Sequence, residues 1–116
     1  MAGMISDKSQ RHKATEAAIK AWYPRDKNAA IIAALNSGVI AFETSFAGLG
    51  GCPFTKVAAG NVATEDFVNA LQLQGLRKDV DLDRLIGVAG DVADHFDREM
   101  PGCVYKTGTI SKKVAA

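Results

Sequence analysis

Three glycines within four positions, Gly48, Gly50 and Gly51, constrain this chain more tightly than any other feature. They lie in Thr44-Ser45-Phe46-Ala47-Gly48-Leu49-Gly50-Gly51-Cys52-Pro53-Phe54. The apolar run Val39-Ile40-Ala41-Phe42 precedes them, and Gly60-Asn61-Val62-Ala63-Thr64-Glu65-Asp66 follows. Glycines at this density admit positive φ and let another group approach the main chain closely. Val39 to Phe42 is too short for an amphipathic helix and reads as a buried strand of a parallel sheet. Strand, glycine loop with a thiol, then helix is how α/β proteins build sites at the carboxyl ends of their strands. The expected class is α/β, mostly helical, with one or two short strands and about four helices.

The flanking segments supply the helices. From Ser9 to Trp22, Ala14, Ala17, Ala18, Ala21 and Trp22 recur at helical spacing, and Pro24 stops the run. Asp26 is placed to cap a helix from Lys27 to Asn36 with Ala30, Ile31, Ala34 and Leu35 inward, closed at Gly38. Beyond the loop, Thr64 or Asn61 is placed to cap a helix reaching about Leu73. Glu65 and Asp66 lie in its first turn, Val68, Leu71 and Phe67 face inward, and Gly75 ends it. Asp81 opens a last helix to about Glu99, with the stripe Leu82, Leu85, Ile86, Ala89, Val92, Ala93 and Phe96, stopped by Pro101 and Gly102. Cys103 to Ile110 has mild strand character.

Composition narrows the function classes. The chain has 116 residues, room for one domain, with 47% apolar and 23% charged residues, as in soluble globular proteins. A net charge of +1 gives no electrostatic reason for a nucleic-acid partner. No apolar run approaches the roughly 20 residues of a membrane span, and the N-terminus lacks a signal-type apolar core. A cytoplasmic location is expected. Two cysteines, Cys52 and Cys103, make no disulfide framework and are expected as thiols.

Candidate chemistry concentrates in the loop. Cys52, near a helix start, is a candidate acid, base or nucleophile, or else a small inert residue in a turn. Asn61 reads as a cap or as a ligand. Glu43 and Asp66 flank the loop as possible acceptors for its amides. His12 and His95 lack metal-ligand spacing. Cys52 with His95 as its base would make a thiol-dependent hydrolase.

Gly48-Leu49-Gly50-Gly51-Cys52-Pro53-Phe54 followed by Gly60-Asn61-Val62-Ala63-Thr64-Glu65-Asp66 resembles the signature loop of the 3-hydroxy-3-methylglutaryl-CoA lyases. These are metal-dependent lyases built on (β/α)₈ barrels. The resemblance runs from about residue 29 to about residue 110. It implies a C-terminal barrel segment there, an unrelated helical segment over 1–28 and a frayed tail over 111–116. It further implies cleavage of a 3-hydroxyacyl-CoA to acetyl-CoA and a keto acid, with Mg²⁺ or Mn²⁺ as cofactor. Cys52 would transfer a proton to the departing acetyl group, and Asn61 would give the metal an amide oxygen. Gly48, Gly50 and Gly51 would shape the loop around the substrate.

The departures from the family are equally specific. Its His-x-His metal ligands fall, counting back without a gap, on Ile19 and Ala21, and its metal-binding aspartate and catalytic arginine belong to sequence this chain lacks. The chain therefore reads as a truncated lyase relative with a deficient metal site. The alternatives are a small oligomeric non-catalytic protein or the Cys52 hydrolase. Exposed edges of the lone strand would favour a homo-oligomer.

Overall fold

A computed structural model describes Lys13, residues 27–51, Phe54 and residues 60–109. The chain divides into two compact units, Met1–Phe42 and Glu43–Ala116. The helix expected over Ser9 to Trp22 lies outside the described residues apart from Lys13, as do its stop at Pro24 and the cap at Asp26.

In the first unit, helix α1 spans Lys27–Asn36. Ala30 and Ala34, one turn apart, are buried as expected, while Ile31 and Leu35 are half-buried. The helix closes in a Schellman turn. Val39 N–H donates to Ala34 O and Gly38 N–H to Leu35 O, at 3.1 and 3.0 Å, with Gly38 at φ 96°. Gly38 is the stop that was expected of it. Val39 to Phe42, expected as a strand, forms none, and Ile40 is largely exposed. The Val39 amide is taken instead by the turn that closes α1, where it donates to Ala34 O.

The second unit holds a 3₁₀ turn at Phe46–Gly48 and helices α2 (Thr64–Leu73), α3 (Leu82–Phe96) and α4 (Val104–Thr107). Extended pairing among the described residues amounts to an isolated parallel bridge between Ser45 and Ala63. There Ser45 N–H donates to Val62 O at 3.1 Å and Thr64 N–H to Ser45 O at 2.9 Å. The unit is thus mostly helical, as expected, and among the described residues the expected short strands are reduced to this bridge.

Three boundaries follow from caps. Asp81 caps α3 as expected, its carboxylate accepting Arg84 N–H at 3.1 Å. Neither Thr64 nor Asn61 caps α2. Ala63 holds that position without a side-chain bond, and Thr64 Oγ1 instead donates to Thr44 Oγ1 at 2.8 Å. Helix α3 stops at Phe96 rather than Glu99, because Asp97 turns left-handed at φ 49°, ψ 45°. Arg98 N–H then reaches Ala93 O, and Asp97 N–H reaches Asp94 O. Phe96, expected in the apolar stripe, is half exposed at that end.

The core is small and lies between the 3₁₀ turn, α3 and the C-terminal segment. Ala47, Ala89 and Met100 are buried at its centre, with Leu49, Val92, Ala93 and Tyr105 packed around them. Full burial of a side chain the size of Met100 is worth about 2 kcal/mol. Tyr105 also accepts Met100 N–H at its hydroxyl oxygen, 2.8 Å away, which ties the segment to α4.

Candidate functional site

The glycine loop leaves the core through a strained turn. Ala47 is fully buried and adopts φ 60°, ψ 5°, a left-handed conformation that costs an L residue roughly 1–2 kcal/mol. Gly48 follows at φ 74°, and Gly50 and Gly51 continue at 119° and 110°. The values at Gly50 and Gly51 belong to a region that side-chain-bearing residues scarcely enter. This local geometry is why the sequence spends glycines here.

Two side chains fasten the loop at Leu49, whose carbonyl accepts Asn61 Nδ2 at 3.0 Å and also Ser45 Oγ. Asn61 packs so closely over Gly50 that a Cβ there would overlap Nδ2. Gly60 approaches the loop from the other side, where an added Cβ would lie 3.2 Å from Gly50 O. Gly48, Gly50, Gly60 and Asn61 therefore lie together as one seat. The Nδ2 end of Asn61 is committed to the Leu49 carbonyl.

Beneath the seat lie two acids at the start of α2. Glu65 has no solvent exposure, and its Oε2 accepts Ala47 N–H at 3.0 Å. Its Oε1 is buried without a hydrogen-bond partner, against Gly102. Burial raises the Glu65 carboxyl above its ordinary value, and the adjacent Asp66 charge adds to this. The backbone N–H groups of Glu65 and Ala47 oppose it. Asp66 turns the other way. It accepts Cys103 N–H at 3.0 and 2.9 Å and Val104 N–H at 2.7 Å, which caps α4.

That cap corrects two expectations. The segment from Cys103 was expected as a strand, yet a carboxylate holding two successive amides starts a helical turn instead. Asp66 was expected to serve the loop amides, but the loop amide belongs to Glu65, one residue earlier. Glu43, the other expected acceptor, is exposed. The first-turn acids were visible in the sequence, but their partners lie 18 to 38 residues away along the chain.

Cys52 lies outside the described residues, as do Ile19, Ala21 and His12. His95 is exposed at the end of α3, edge-on to Phe96 with ring centroids 5.0 Å apart. Among the described residues, no three His, Cys, Asp or Glu side chains gather as a metal site, and no helix is long and apolar enough to cross a membrane. With Glu65 and Asp66 both spent on backbone amides, Asn61 is the loop's one described donor of the expected set. A single amide oxygen does not fit a divalent-ion site, which takes several oxygens.

No family model matches the chain. It is 44% identical over 68 residues to the mitochondrial hydroxymethylglutaryl-CoA lyase of Arabidopsis thaliana, across 59% of this chain and 14% of that protein. It is 33% identical over 84 residues to the (R)-citramalyl-CoA lyase of Chloroflexus aurantiacus, across 72% of this chain and 26% of that one. A solved HMG-CoA lyase of A. baumannii, in complex with coenzyme A and 3-methylmalate, superposes with a TM-score of 0.70 at 25% identity. That match covers 95% of this chain and 40% of the solved one. The chain thus spans about a quarter or less of the length of these two curated relatives.

Proposed function

We propose that this chain, a relative of the C-terminal part of the HMG-CoA lyases, supplies the glycine loop of a lyase site for a 3-hydroxyacyl-CoA, and that its described residues do not hold the donors to cleave that substrate alone. The supporting observation is the seat itself. Gly50 and Asn61 interlock, with the asparagine Nδ2 donating to Leu49 O. In the intact lyase chemistry a divalent ion polarises substrate oxygens. The donors described here do not make a site for such an ion, so no step of this chain is routed through one. What its own residues do is hold shape. Ser45 and Asn61 fix Leu49, and the glycines keep the main chain clear of side chains where an acyl thioester would lie. Cys52 is assigned the proton transfer by the resemblance alone.

The test is a turnover assay of the purified chain on 3-hydroxy-3-methylglutaryl-CoA with Mg²⁺ or Mn²⁺, following acetyl-CoA release. No metal-dependent release above the protein-free blank is expected. Release that requires the metal and disappears in Asn61→Ala would overturn the proposed shortage of donors.

A further inference from the structure

We propose that Glu65 is the positioning residue of the glycine loop, its buried carboxyl fixing the left-handed turn at Ala47 and Gly48 and, through that turn, the place where Gly50 meets Asn61. Three observations converge on it. The carboxyl is fully buried and accepts Ala47 N–H, at the left-handed residue of the strained turn. Ala47 O in turn accepts Gly102 N–H at 3.1 Å, so the turn is held from both sides. Gly102 leaves room for the carboxyl where any Cβ would overlap Oε1. A left-handed alanine persists only where its surroundings over-determine it, and Glu65 is the side chain that does so here.

The carboxyl lies in surroundings that favour its neutral form. It has one N–H partner at Oε2 and none at Oε1, and a buried carboxylate so poorly solvated costs far more than the acid. Among the described charged groups, the neighbouring Asp66 on the same helix is the one whose charge bears on it, and it favours the proton. The 3₁₀ turn contributes Ala47 without a charge, and the segment behind contributes Gly102 and the exposed Cys103. The sign of the pH dependence follows. A carboxyl raised in the folded state contributes its full stability below its unfolded value, 4.5, and loses it as pH rises through the higher folded value.

The functional meaning of this positioning rests on the lyase reading above, whereas its test reads amide signals and no turnover, so either can fail alone. Glu65→Gln, the neutral isostere, is expected to keep the Ala47, Gly48 and Gly50 amide resonances near their native positions. Glu65→Ala is expected to move all three and to speed exchange of the Ala47 amide roughly tenfold, one hydrogen bond's worth. The unfolding midpoints of native protein and Glu65→Gln should stay a constant interval apart below pH 4.5, with the native protein falling progressively behind as pH rises. If Glu65→Ala does not fold, Glu65→Gln decides by itself. Retained loop resonances with the pH divergence support the assignment, and displaced resonances or a pH-independent difference overturn it. An unchanged loop in a folded Glu65→Ala overturns it as well.

Discussion

Asp66 accepts three hydrogen bonds from two backbone amides with its two oxygens, and nothing else among the described groups replaces it at the start of α4. Bonds to an ionised acceptor are worth more than neutral ones, and removing the acceptor leaves Val104 N–H buried without a partner. Asp66→Ala should therefore cost about 3 kcal/mol, and Asp66→Asn about 1 kcal/mol, since an amide oxygen still accepts. Urea denaturation checks this. A lowered midpoint at unchanged slope is expected, and a change within about 0.5 kcal/mol for Asp66→Ala would sink the cap. At this scale the sequence was half legible. Acids in the first turn of α2 announced themselves by position, but position along one helix says nothing of which distant amide a carboxyl will meet. Gly50 and Asn61 were readable because a glycine beside a fixed polar partner is a local geometric need. Met100 and Tyr105 left no periodic signal, since they lie between elements rather than on one.

The helices were legible wherever punctuation decided them. Gly38 and Gly75 end their helices in Schellman turns, the latter with Leu76 N–H reaching Leu71 O at 2.9 Å, and Asp81 starts α3. The α3 end was misplaced because the stop is a left-handed aspartate, which the sequence does not mark as a glycine would. Replacing Asp97 by Gly relieves roughly 1 kcal/mol of left-handed strain and costs part of it in chain entropy. The variant should gain about 0.5 kcal/mol in thermal or chemical unfolding, and a loss of 1 kcal/mol or more would show that the Asp97 side chain has a role of its own. The strand at Val39 to Phe42 failed for a reason no local pattern reveals. Pairing is a property of two segments, and apolar β-branched residues describe one.

At the scale of the molecule, a stretch matching about 60% of this chain aligns with lyases several times its length. The loop keeps its seat because its fastenings are internal to residues 43–109. Leu49 is held by Ser45 and Asn61, Ala47 by Glu65, Gly102 by Ala47, and α4 by Asp66. None of these bonds calls on a residue outside 43–109. Hydrogen–deuterium exchange of the native chain, read amide by amide, tests this most directly. The Ala47, Thr64, Gly102 and Val104 amides should exchange together, far more slowly than an unfolded chain and close to the rate set by global unfolding. Exchange of Ala47 and Gly102 at unfolded-chain rates, while α3 stays protected, would contradict a loop that holds its own shape.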